Sequence, residues 1–157
     1  MAPHPGRKLF VNLPVADLQR SIDFFTGIGF SFDPNFTDEK ATCMLVGEDA
    51  YVMLLEHDRF TDFTTKPTAD ASLQTEALLS FSANSREEVD RLTTRALSSG
   101  GSPAKEPMDM GFMYGTSFQD PDGHHWEVMW MDPAAAEQGP PAEHEQQGEQ
   151  QRSRVTS

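Results

Sequence analysis

The chain has 157 residues, 37% apolar, 10% aromatic and 24% charged, enough to bury one core and too short for several domains. Its formal charge of -13 is not offset by any basic stripe, which argues against nucleic acid as a partner and fits a soluble acidic surface. Cys43 is the single cysteine, so an internal disulfide and a Cys-rich zinc site are excluded; with no signal-like apolar region and no run of membrane-spanning length, the expectation is a cytoplasmic protein without a membrane partner.

Residues 1–7 read as a flexible lead. From Phe10 to Val15 the side chains alternate, with Val11, Leu13 and Val15 on one face and Phe10, Asn12 and Pro14 on the other; Pro14 marks a strand end or an edge. Asp17 suits an N-cap, and Leu18, Ile22 and Phe25 recur at helical spacing until Gly27 and Gly29 close the helix. Extended pieces follow at Phe30 to Phe36, Ala41 to Val46 and Tyr51 to Leu55, the second of which makes Cys43 a small packing residue. Residues 57–75 lack a regular period and read as a long connection, either a plain linker or a lid over a cavity.

A second unit opens with Ala77 to Phe81 and continues through Ser85 and Glu88, a capping box in which each side chain satisfies a free amide. Val89, Leu92 and Ala96 supply an apolar stripe, Gly100 and Gly101 end the helix, and Gly111 to Phe118 and Trp126 to Met131 provide strands. The strand, helix and strand order therefore recurs, which predicts two similar modules at about 8–56 and 76–132 within one domain over 8–132. Residues 133–157, rich in Ala, Gln, Glu, Gly and Pro, read as a disordered tail.

The stretch Asp120-Pro121-Asp122-Gly123-His124-His125-Trp126-Glu127 is a tight turn feeding a strand. Trp126, Val128 and Trp130 fall on one face, read as the core, and His125, Glu127, Met129 and Met131 on the other. A carboxylate held mid-strand costs free energy unless it is paired, hydrogen-bonded, ligated or wet, so Glu127 is either a satisfied structural glutamate or a functional group. His124, in the turn, reads as exposed, and Glu56 and His57 as surface residues.

The run Phe10-Val11-Asn12-Leu13-Pro14-Val15-Ala16-Asp17-Leu18, then Arg20-Ser21, Phe24-Phe25 and Gly27-Ile28-Gly29-Phe30, together with the Asp-Pro-Asp-Gly turn and Glu127, resembles the vicinal oxygen chelate superfamily of glyoxalases, bleomycin-resistance proteins and extradiol dioxygenases. The resemblance implies an α+β fold of two βαβββ modules whose curved mixed sheet encloses a cavity. It also implies up to four metal-ligand positions, which fall here on Phe10, on Met53, on Glu76 or Ala77 by register (an alternation that buries Ala77, Leu79 and Phe81 favours Glu76) and on Glu127. Phe10 and Met53 cannot bind a hard divalent cation, so no metal and no other cofactor is expected; the alternative is a divalent ion held by Glu76, His125 and Glu127.

The reading that follows is a protein that binds a small organic ligand in an apolar, acid-floored cavity lined by Phe10, Asn12, Met53, Glu76, Tyr114, His125 and Met129. Glu76 and Glu127, if adjacent, would favour a cation or share a proton. The alternative is a glyoxalase-type lyase or isomerase, or an extradiol-type dioxygenase, with Glu127 as the catalytic residue. A homodimer is expected, because open curved sheets invite pairing.

Overall fold

The computed structural model describes residues 3–141. The first module runs β1 (Leu9–Val15), α1 (Leu18–Ile28), β2 (Ser31–Phe32), β3 (Ala41–Leu45) and β4 (Ala50–Glu56), with a single 3-10 turn at Pro34–Phe36. A short helix, α2 (His57–Thr61), opens the connection. The second module runs β5 (Leu78–Ser82), α3 (Arg86–Ser98), β6 (Ser102–Pro103), β7 (Met108–Asp109), β8 (Met113–Gln119) and β9 (His125–Met131), and α4 (Pro133–Gln138) follows.

The strands form two mixed sheets of the same design. The first has the order β1-β4-β3-β2 and the second β5-β9-β8-β6, with β7 on β8. In each, the opening strand is an edge and pairs parallel with the last strand of its module, while the remaining pairs are antiparallel. Pro14 is tolerated because β1 has a neighbour on one side only.

Both sheets turn one face toward a shared core. Asp17 caps α1 by accepting from the Arg20 amide, and the helix buries Leu18, Phe24, Phe25 and Ile28. Those rings reach the second sheet: Phe25 lies 5.2 Å from Trp126 and Phe24 5.9 Å from Phe118, while Phe30 meets Phe81 at 5.2 Å. Because α1 also packs on β4, one core with Leu13, Val15, Met44 and Leu54 from the first sheet serves both halves. Four large aromatic side chains buried to 2% exposure or less, Phe24, Phe25, Phe118 and Trp126, make this the main source of stability. Ser85 caps α3 by accepting from the Glu88 amide, and Glu88 returns a carboxylate to the Asn84 amide.

Several sequence expectations need correction. Gly27 lies inside α1 rather than ending it: a Cβ there would come within 2.9 Å of Ser99 Cβ, so the glycine lets α1 and α3 approach, and only Gly29, at φ 121°, is the stop. The connection is not structureless throughout, since α2 occupies His57–Thr61. The expected strand at Ala77 begins at Leu78, leaving Ala77 exposed. The tail expected to be disordered from 133 onward starts as a helix, because Asp132 caps the Ala134 amide, Pro133 occupies the first turn and three alanines follow, with Ala135 buried. The rest of that expectation, over 142–157, and residues 1–2 of the lead lie outside the described residues.

Two ion pairs fix the periphery. Arg86 grips Asp109 with two hydrogen bonds of 2.8 and 3.0 Å, which hold the Asp109 carboxyl down to about 2, and its guanidinium lies over the rings of Tyr114 and Trp130. Asp122, 8% exposed at its side chain, accepts from the Ala16 amide at 2.8 Å and from Arg20 at 3.1 Å, with the Ser21 hydroxyl at 3.4 Å. The turn of the second module is thereby fastened to the start of α1. Asp122→Ala leaves the Ala16 amide and Arg20 without that partner and is expected to cost about 1–3 kcal/mol in urea unfolding; an unchanged midpoint would show that the contact carries no net stability.

Candidate functional site

Glu127 sits in the middle of β9, opposite Ser80 on β5 and Ser117 on β8. Ser80 Oγ donates to Glu127 Oε2 at 2.8 Å, so the mid-strand carboxylate is half satisfied by a neighbouring hydroxyl. Two residues back on the same face, His125 places Nε2 3.4 Å from Glu127 Oε1, near enough for an ion pair when the ring is protonated but not aligned as a hydrogen bond. The His125 side chain is 13% exposed and that of Glu127 31%.

Beside this pair a cavity of about 280 Å³ opens between the two edge strands, β1 and β5, under the segment 62–77. Leu13, Pro14, Phe60 and Leu79 give it apolar walls. Its polar groups include Asn12, Lys66, Thr68, Glu76 and His125. Among the described residues, the buried side-chain polar atoms without a hydrogen-bond partner are Thr68 Oγ1 and His125 Nε2, and both residues line this one cavity.

The site residues expected from sequence are distributed as follows. Asn12, Glu76 and His125 come together in the cavity. Glu76 is not on β5: it precedes the strand by two residues, and the side chain that meets Glu127 is Ser80. Met129 shares the outer face of the second sheet with Glu127 and lies outside the cavity lining. Phe10, half exposed, stacks on Tyr51 at 4.8 Å, and Met53 pairs with Asn12 on the outer face of the first sheet. Tyr114 is a correction. It pairs with Trp130 on the core side of the second sheet and donates to Asp90 on α3, because β8 reaches Met113–Gln119 with the opposite parity to Glu127's neighbour Ser117.

Two further residues read as exposed are structural. His124 is half-buried, with Nε2 2.7 Å from the Pro14 carbonyl, and Glu56 accepts from the Leu18 amide at 3.0 Å and from Lys40 at 3.2 Å. Ser80 and Thr68 were missed, since a lone hydroxyl residue in a strand or loop carries no periodic signal. Parity would have placed Ser80 once the β5–β9 register was known.

The family model of the glyoxalase/bleomycin resistance protein/dioxygenase superfamily matches residues 9–128. The chain belongs to that superfamily. Among solved structures, hypothetical protein SA1046 from S. aureus is 29% identical, with a TM-score of 0.67 over 78% of this chain and 92% of that one. A glyoxalase-related enzyme from Fulvimarina pelagi is 20% identical, with a TM-score of 0.67 over 80% and 88%. The fosfomycin resistance protein FosX from Listeria monocytogenes is 22% identical, with a TM-score of 0.55 over 83% and 92%. A search of curated proteins gives no match.

Superfamily members often use a divalent metal, so the donor set has to be tested. Such an ion wants three or more nitrogen or oxygen ligands around one point. His125 and Glu127 supply two, while Phe10 and Met53 supply none that a hard ion accepts. Among the described residues no group of three or more His, Cys, Asp or Glu is placed to hold one ion, so the donors of a single chain do not fit.

The turn that carries His125 also supports the roof. Gly123 has φ 94°, and a Cβ on it would lie 2.7 Å from the Ala71 carbonyl oxygen and 2.9 Å from Ser72 Cα. Gly123→Ala is therefore strained twice, by backbone and by contact, and is expected to displace residues 70–72 and to destabilise by about 1–3 kcal/mol. Amide chemical shifts that stay put at Ala71 and Ser72, with unchanged melting, would refute this coupling of turn and roof.

Proposed function

We propose that this superfamily member binds a small organic molecule in the cavity between β1 and β5, with Thr68 and His125 as its polar anchors and Glu127 beside the His125 ring. One observation carries the reading: among the described residues, the two buried side-chain polar atoms without a hydrogen bond belong to Thr68 and His125, and both residues line the same cavity. Buried polar groups are nearly always hydrogen-bonded, so two exceptions on residues that line one apolar-walled space suit a ligand that offers them partners. The acid of the cavity is Glu76, and Glu127 acts through His125 rather than as the floor itself.

A fragment library followed by protein-observed NMR tests this directly. Hits are expected to shift Thr68, Leu79 and His125, and His125→Ala is expected to weaken them by about tenfold, the value of one hydrogen bond to a polar group. Hits that instead perturb Gly115, Ser117 and Met129 on the open sheet face, and are indifferent to His125→Ala, would move the site to that face.

A catalytic reading keeps one specific support, the His125 and Glu127 pair, in which a carboxylate orients an imidazole that could take a proton from a bound carbonyl compound. It uses the same cavity and adds turnover to binding.

The same proposal includes a homodimer and a cytoplasmic location. Phe10 is 49% exposed on the outer face of the first sheet and Leu78 61% exposed on that of the second, apolar area that a second copy would cover. Light scattering at micromolar concentration is expected to give twice the chain mass; the single-chain mass would refute the dimer. Cys43, buried and unpaired, suits a reducing compartment, and no helix among the described residues is long and apolar enough to cross a membrane.

A further inference from the structure

The cavity holds more than its two unpartnered hydroxyl and imidazole atoms. Lys66 and Glu76 both line it, and neither side chain makes an ion pair or hydrogen bond among the described residues. Three other cations near the first sheet's rim are paired: Lys8 with Asp49, Lys40 with Glu56 and Asp58, Arg59 with Asp38. In a chain of formal charge -13, the cavity thus brings together one cation and one anion, each free to meet a charge from outside. A purely anionic ligand would leave Glu76 opposed to it, and a purely cationic one would oppose Lys66.

We propose that the ligand of this cavity is a small zwitterion of amino-acid size with an apolar side chain. The inference rests on the binding reading above and names the class of molecule that the cavity takes. The carboxylate accepts from the Lys66 ammonium, the Thr68 hydroxyl and the His125 ring, three donors of the kind that strengthen around an anion. The ammonium is set against Glu76. The apolar part lies along Phe60 and Leu79, in a space of about 280 Å³, below the roughly 300–1,000 Å³ typical of drug-sized sites. Glu127 serves as a positioning residue, its Oε1 3.4 Å from the His125 nitrogen and its Oε2 held by Ser80.

Three probes that share the leucine side chain and differ in which backbone charge they keep test the class: L-leucine, which carries both charges, N-acetyl-L-leucine, which carries only the negative one, and L-leucine methyl ester, which carries only the positive one. Calorimetry and NMR on the full chain are expected to show leucine binding about tenfold or more tighter than either derivative, as expected when one of two charge contacts is lost. Lys66→Met is expected to bring leucine down to the level of the ester, and Glu76→Gln down to the level of the acetyl compound. Both residues are exposed, so both variants are expected to melt as the parent does. Equal or tighter binding of either derivative, or leucine affinity unchanged in both variants, overturns the zwitterion while signals shifting at Thr68 and His125 keep the cavity as the site. If no probe shifts those signals but the fragment library does, the class fails and the cavity stands; if neither does, both fail.

Discussion

The buried carboxylate of Asp120 is the constraint on which the rest depends. It is 4% exposed, and burial pushes its carboxyl up, yet it accepts from the Asp122 and His124 amides at 3.0 Å each and from the Trp126 indole at 3.0 Å. Three donors on one buried acid offset a desolvation cost that would otherwise be several kcal/mol. The turn so fixed aims Asp122 at the opening of α1 and His124 at the end of β1, and so ties the second module to the first. It also sets where β9 begins, and with it the parity that puts Trp126 and Val128 in the core and His125 and Glu127 on the other side.

Much of this was legible in the sequence because its cause is local. Helix caps at Asp17 and Ser85, the left-handed stop at Gly29 and the alternation around Glu127 depend on residues within a few positions of one another, and the structure has all of them. The two modules, which no single window contains, show in the recurrence of the strand, helix and strand order along the chain. What failed to show depends on register or on distant segments. Tyr114 is expected among the ligand contacts, but its neighbour Trp130 and the acceptor Asp90 hold it on the core side. Glu76 has the parity of Ser80 but lies before the strand, and nothing in residues 70–80 shows that β5 waits until Leu78 to pair with His125. The α4 helix was overlooked for another reason, since low apolar content outweighed an explicit Asp-Pro-Ala-Ala-Ala start.

The cavity was legible only in part, because sequence names three of its polar groups but leaves its roof open between a plain linker and a lid. Its roof is held by short-range contacts that composition does not show: Asp70 accepts from the Ser72 amide and hydroxyl, and the Leu73 and Gln74 amides return to the Asp70 carbonyl. This gives the segment a fixed shape without helix or strand, of the kind an Asx turn produces.

The position of the cavity follows from the topology. Two sheets built alike leave β1 and β5 as edges, and an edge strand presents unpaired backbone groups that must be covered or paired. Here α2, the segment 62–77 and the Asp120 turn gather at those edges, and the space they do not fill is the cavity. Its walls thus come from two sources. Leu13 and Leu79 belong to the strands and are constrained by the core, whereas Lys66, Thr68 and Glu76 belong to the connection and are constrained by little besides their own turns. Changing the connection can change what the cavity recognises while leaving the sheets and the Asp120 turn intact, so ligand choice and fold are encoded in largely separate residues.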